Sequence, residues 1–283
     1  MKIANNIIML SLIISIAGCS IRTPYYINGE DNEALNILKK IESINKDIKT
    51  SKGTGWITIT DIELSDEDIN SSSNNNTTEL NINKQRVNRQ KSKKFRMAWI
   101  ASFPDKIRLT LLSAGHPVET ILADGNSVTF ISHTGRHKTK KISSANPSLK
   151  DVVSIPVTIQ DILSIFAGRT PISKFDTAEI AQITYSSELT DNMLMLKRRW
   201  NGQSQNIVLN SDHKVTSFLL MNQNRKLIHS VFNEQFKVFD SFSIPVNVKI
   251  KDGDGRLIDF EINNYQPNIA VKANTFILQE SSD

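Results

Sequence analysis

Hydrophobic and polar positions change period several times along this chain, and the changes mark out its elements. Over residues 30–49, Ile37, Ile41, Ile44 and Ile48 recur at helical spacing, and Ala34 and Leu38 widen the stripe. That pattern predicts an amphipathic helix. Glu30, Asp31 and Glu33 at its start, with Lys46 and Lys49 at its end, complement the helix dipole. A polar face of mixed sign without aromatic anchors suits packing on a sheet; lying on a membrane surface is the alternative.

From Gly53 the period becomes two, with Trp56, Thr58 and Thr60 alternating with Ile57 and Ile59. Residues 94–103 place Phe95, Met97, Trp99 and Ala101 on one strand face, and Lys94 and Arg96 on the other. Ile107, Leu109 and Leu111 then alternate with Arg108 and Thr110. Further short strands run from 118 to 142 and from 180 to 265, where Val246, Val248 and Ile250 alternate with Asn247, Lys249 and Lys251. Turns such as Pro104-Asp105, Asp124-Gly125-Asn126 and Thr134-Gly135-Arg136 separate them, so the connections predict an antiparallel meander.

The helical period returns once, over 156–168. Thr158 stands at an N-cap with Asp161 three residues on, Gly168 marks the stop, and Ile159, Ile162, Leu163 and Phe166 form the stripe. Residues 65–90 break the pattern; 71–78 read SSSNNNTT, too polar to bury apolar area, and are expected to belong to a disordered insertion. About eleven strands and two helices give a mainly β, α+β chain, and so large an open sheet curls. The expected architecture is a strongly curved antiparallel sheet, a half-open barrel, with both helices on its concave side.

Ahead of these elements, Met1-Lys2 and an apolar run over 7–17 end in Ile16-Ala17-Gly18-Cys19. One early cation, a short hydrophobic region and small residues describe a secretory signal, and the run falls short of the roughly 20 residues of a spanning helix. Aliphatic-Ala-Gly-Cys resembles the bacterial lipobox, which implies cleavage after residue 18 and acylation of Cys19, the one cysteine present. An ordinary signal with an incidental cysteine is the alternative. Several acyl chains, at about 0.8 kcal/mol for each buried methylene, make such an anchor effectively permanent. The expected organisation is signal 1–18, tether 19–29 and one domain over 30–283. With Ser20 after the anchor, the resemblance to bacterial lipoproteins implies the outer membrane, periplasmic face.

The net charge of +5 falls to +4 without Lys2, a mild excess that suits anionic head groups and argues against nucleic acid. A lone cysteine excludes an intramolecular disulfide, so the fold rests on its hydrophobic core. His133 and His137 flank Gly135 in a predicted hairpin, and Asp252-Gly253-Asp254-Gly255 lacks the rest of a calcium loop. No Gly-x-Ser-x-Gly, phosphate loop or dinucleotide fingerprint occurs, so no enzyme activity, metal or cofactor is expected beyond covalent lipid on Cys19. The basic run Lys84, Arg86, Arg89, Lys91, Lys93, Lys94 and Arg96 reads as a solvated strand face, or as a contact for lipid phosphates or an acidic partner.

The order of elements resembles the family of the periplasmic lipoprotein carrier LolA and the outer-membrane receptor LolB. The likeness is carried by the first helix before Gly53-Thr54-Gly55-Trp56, by Pro104-Asp105-Lys106-Ile107-Arg108-Leu109-Thr110-Leu111-Leu112-Ser113, by the mid-chain helix ending at Gly168, and by Ile244-Pro245 and Phe276-Ile277-Leu278 near the close. The resemblance implies an unclosed barrel holding acyl chains of a lipoprotein or another lipid in a hydrophobic cavity, acting in trafficking to the outer membrane. Its lining would come from Phe95, Met97, Trp99, Ile107, Leu109 and Leu111, with Ile162, Leu163 and Phe166; a packed core of the same residues is the alternative. The family's loop matching 113–118 projects a leucine to the membrane. Here Gly115, His116, Pro117 and Val118 form a tip without one, which counts against insertion of this loop. The resemblance implies as partners the membrane, lipid or lipoprotein acyl chains, and a periplasmic carrier or envelope protein. The rival reading is a non-catalytic envelope sensor or assembly subunit that binds a protein partner.

Overall fold

A computed structural model describes residues 25–26, 32–63, 89–150, 155–184, 190–199 and 202–278. The predicted signal, Cys19, most of the tether and residues 65–88 of the predicted insertion lie outside them. Arg89 and Gln90, placed in that insertion by composition, instead open a strand.

After β1 (Tyr25–Tyr26) and α1 (Asn32–Ser43), a first meander comprises β2 (Thr50–Glu63), β3 (Arg89–Ser102), β4 (Lys106–Ser113), β5 (His116–Asp124), β6 (Val128–Ser132) and β7 (Lys140–Ile142). Helix α2 (Ile159–Phe166) separates it from β8 (Thr177–Thr184), β9 (Thr190–Lys197), β10 (Ser204–Leu209), β11 (Val215–Met221), β12 (Leu227–Phe239), β13 (Phe242–Asp252) and β14 (Leu257–Pro267). A 3-10 turn, Ala273–Phe276, follows. The strands form one antiparallel sheet in the order β1-β8-β9-β10-β11-β12-β13-β14-β2-β3-β4-β5-β6-β7. Among the described residues it has fourteen strands, one of only two residues, against the roughly eleven expected where such a sheet curls. Of these, β1 carries too few residues to show a period, whereas the three-residue β7 falls within the strands expected over 118–142. The curved, half-open architecture is as expected: β1 and β7 are unjoined edges, and Lys140 and Lys141 blunt the second.

Pairing of β14 with β2 joins the two meanders, so β7 and β8 end near opposite edges. The chain from 143 to 176 must therefore cross the sheet, and α2 crosses on the concave side. Inward residues of β2–β6 and β8–β14 form one core with Ala34, Ile37, Leu38 and Ile41 of α1 and Ile159, Ile162, Leu163, Ile165 and Phe166 of α2. Helix α1 thus packs on the sheet, against β8 and β9.

Helix α1 ends at Ser43, well short of residue 49, although Ile48 is fully buried as the spacing suggested. Asn45 leaves the helical region at φ 53°, and its Nδ2 donates to the carbonyls of Gly168 (3.0 Å) and Ser243 (2.9 Å). Arg169 then donates to the carbonyls of Asn45, Lys46 and Ile48, satisfying groups that a longer helix would have bonded internally. Lys46 and Lys49 lie in this turn and not in the helix.

The Gly53-x-Gly55 pair has a packing cause. A Cβ on Gly53 would overlap the Trp99 ring and the Asn264 carbonyl, and one on Gly55 would overlap the Glu261 carbonyl of β14. Two neighbours approach β2 closely, and glycine admits both.

Candidate functional site

The concave interior is the candidate site, and α2 is seated in it. Its capping box forms as predicted: Asp161 N donates to Thr158 Oγ1 (3.2 Å), and Thr158 N donates to Asp161 Oδ2 (2.8 Å). Gly168, at φ 63°, ends the helix one residue after its C-cap. Beyond it, Gln205 of β10 reaches from the sheet floor: Nε2 donates to the Pro171 carbonyl, and Oε1 accepts from Ser173 N at 3.1 Å. Both ends of the helix are tied down by polar contacts while its stripe faces an apolar floor.

Under α2 lies a cavity of about 30 Å³ with no polar lining. Ile57 and Ile59 of β2, Ile107, Leu109 and Leu111 of β4, Ile121 of β5, Ile258 and Phe260 of β14 surround it, with Leu149, Ile159 and Ile162 above. An apolar space of that kind stays dry, because a water needs polar partners. It is also far below the roughly 300–1,000 Å³ of pockets that enclose small molecules. With α2 seated, the interior is filled by side chains.

The predicted lining residues meet here. Met97, Trp99, Ile107, Leu109, Leu111, Ile162, Leu163 and Phe166 are buried in one core, with Phe95 half-buried against it. Trp99 stacks on Phe166 at 4.8 Å between centroids, and Phe166 meets Phe260 edge-on at 5.4 Å. Four of the nine, Ile107, Leu109, Leu111 and Ile162, border the cavity. Ile57, Ile59, Ile121, Ile159, Ile258 and Phe260 were absent from the predicted set. Their strand parity or helix stripe would have admitted them, but which strands lie beneath α2 follows only from the β14–β2 pairing.

The segment 113–118 is a tight hairpin. Ala114 (φ 49°) and Gly115 (φ 84°) form the two-residue turn, and His116 and Pro117 already belong to β5. Gly115, His116 and Pro117 are exposed and Val118 is half-buried. Nearby, His133 Nε2 meets Thr120 Oγ1 (2.9 Å) and His137 Nε2 meets Glu119 Oε1 (2.8 Å), so the two histidines serve different partners. Asp252 Oδ1 accepts from the backbone N–H of Asp254 and Arg256, which makes 252–256 a closed turn. Lys94 and Arg96 sit over the Trp56 ring at 5.1 and 5.9 Å, so that strand face is more than solvated charge.

An imidazole also faces the interior from the floor. His229 of β12 is 2% exposed and edge-on to Phe218 at 5.7 Å. Burial pushes its pKa down, against the opposing pull of Asp161 at the start of α2 and of the nearby Pro156 backbone. The imidazole is therefore held neutral beside the N-terminus of α2. A separate groove of about 260 Å³ has a mixed lining, with Ile44, Val215, Phe236 and Pro245 beside Lys40, Arg169, Asp212 and Lys214.

No family model and no curated protein matches the sequence. Solved structures do match in shape. A LolA superfamily protein from Nitrosomonas europaea aligns with a TM-score of 0.52 at 11% identity, over 86% of this chain and 96% of that one. A candidate outer membrane lipoprotein-sorting protein domain from Vibrio parahaemolyticus gives 0.53 at 10% identity, over 87% and 96%. A DUF1329 family protein from Desulfovibrio piger gives 0.55 at 6% identity, over 88% and 98%. The fold is LolA/LolB-like, and at these identities the likeness is one of fold.

Proposed function

We propose that this chain is a periplasmic lipoprotein, anchored to the outer membrane through acylated Cys19. Its half-barrel holds acyl chains of lipoproteins or other lipids, without catalysis, in trafficking to that membrane. The observation that carries this reading is the continuous apolar interior beneath α2. The lipobox-like Ile16-Ala17-Gly18-Cys19 supports the anchor. The likeness in fold to a lipoprotein-sorting domain supports the cargo class.

An interior this full admits an acyl chain only when α2 moves out. The exchange is near balance in principle, since each acyl methylene that replaces helix side chains returns about 0.8 kcal/mol of burial. The helix has eight residues and contributes no strand pairing, so its displacement leaves the strand ladder intact. Lipid extraction and mass spectrometry of chain 19–283 carrying Cys19→Ala, with uptake of a fluorescent acyl probe, test the reading. Bound lipid and saturable uptake are expected; a lipid-free protein that takes up nothing would refute it.

The small cavity favours one second reading, a sensor or assembly subunit whose core stays filled and whose rim binds a protein. A stoichiometric envelope protein in pull-downs, with no lipid, would select it.

A further inference from the structure

An antiparallel meander sends alternate turns to opposite ends of the sheet, and in this chain the two sets of turns differ in charge. At one end lie the turns β6–β7, β9–β10 and β11–β12, which present Arg136, Lys138, Arg198, Arg199, Arg225 and Lys226. At the other end lie the turns β3–β4, β5–β6, β10–β11 and β12–β13, where Asp105, Asp124, Asp212 and Asp240 are mixed with Lys106 and Lys214, and Lys49 and Lys272 lie beside them. The turn tips of the first end carry the larger cationic excess.

Carboxylates in the described turns of the cationic end are engaged, while Asp61 stands exposed where β2 approaches that end. Asp252 and Asp254 pair with Arg256, Glu119 with His137, and Asp176 accepts from the backbone N–H of Arg199. Among the described residues, none of the six named cations forms an ion pair. Arg225 is held outward by its turn, where Asn222 Oδ1 accepts from the N–H of Asn224 and Lys226 and Arg225 takes φ 57°. The cations are also spread along nearly the whole curved end, from the β9–β10 turn to the edge hairpin β6–β7. Exposed Gly115, His116 and Pro117 stand at this same end.

We infer that the cationic end is a docking surface for an anionic lipid bilayer. A row of separate cations along a broad edge matches a continuous plane of phosphates better than the compact acidic patch of one protein. The absence of a leucine from the 113–118 tip fits attachment by charge without insertion. This inference stands apart from acyl binding: docking uses turn tips, and binding uses the interior.

The test is co-sedimentation of chain 19–283 carrying Cys19→Ala, which retains every residue of the core, with extruded vesicles. One set contains phosphatidylglycerol and phosphatidylcholine, the other phosphatidylcholine alone. Binding is expected on the anionic set only, and to fall steeply when salt is raised to about 0.5 M, where screening is nearly complete at contact distances. Replacing Arg198, Arg199, Arg225 and Lys226 by Glu is expected to weaken it by about a hundredfold or more. Lys49→Glu with Lys272→Glu, at the opposite end, should leave it unchanged. An unchanged far-UV CD spectrum and thermal midpoint of the four-site variant verify that the fold survives, whether or not the chain takes up acyl probe. Equal binding to both vesicle sets, equal binding by the four-site variant, or no vesicle binding at all would each overturn the inference. An acidic protein that binds this end while anionic vesicles do not would overturn it too.

Discussion

Trp99 and Phe166 stack with ring centroids 4.8 Å apart and planes inclined by 20°. One ring rises from the C-terminal part of β3 and the other closes the last turn of α2, so this contact fastens the crossing helix to the sheet floor. Tyr265 meets Trp99 at 6.2 Å, and Trp99 Nε1 donates to the buried Ser51 Oγ at 3.4 Å. The tryptophan is thereby fixed in orientation, and the helix docks on a rigid platform.

Phe166→Ala removes the stacked ring and its edge contact with Phe260. The expected loss is about 3–5 kcal/mol, as for other buried aromatic truncations, measured by urea unfolding. Phe166→Leu, which keeps most of the volume, is expected to lose less than half of that.

Gly55→Ala and Gly115→Ala separate two uses of glycine. At Gly55 the obstacle is the Glu261 carbonyl of a central strand pair, which cannot move aside, so a severe loss of stability is expected. At Gly115 there is open space and only the cost of a left-handed turn, about 1 kcal/mol. Thermal unfolding of the two variants checks the ranking.

Arg169→Lys tests the turn that ends α1. The guanidinium spans three carbonyls, which a single ammonium cannot match, so a loss of about 2–3 kcal/mol is expected despite the retained charge. If lysine restored full stability, the carbonyl contacts would be incidental.

His229 sets an acid limit. Its pKa is lowered in the folded chain, mainly by burial, so the folded state takes up its proton later than the unfolded state does. The sign follows: stability is full above the ordinary histidine value near 6.5 and declines as pH falls below it. His229→Gln is expected to flatten the dependence of unfolding free energy between about pH 7 and pH 5. An unchanged slope would assign the acid sensitivity to other groups.

Much of this fold was legible because a pleated strand repeats at two and its turns use Gly, Pro, Asn and Asp. Phe95 to Ala101, Ile107 to Leu111 and the Thr158–Asp161 box lie as the pattern predicts. The end of α1 was not legible, since Ile44 and Ile48 keep helical spacing through a turn. What stops that helix is Asn45 reaching residues 123 and 198 positions away. The cavity lining was half legible: parity named inward positions, but the floor under α2 depends on β14 closing onto β2. The cationic excess was present in the turns, yet it becomes a surface only once strand order assigns each turn to an end.

The most direct test of the central claim uses Trp99 as a reporter from the floor of the interior. The chain has three tryptophans, and Trp56→Phe with Trp200→Phe in chain 19–283 carrying Cys19→Ala leaves Trp99 alone. Titration with a fatty acid brominated near mid-chain is predicted to quench Trp99 emission saturably, with an unbrominated chain of equal length competing. Binding of the acyl chain without quenching, or no binding at all, would contradict an acyl site beneath α2.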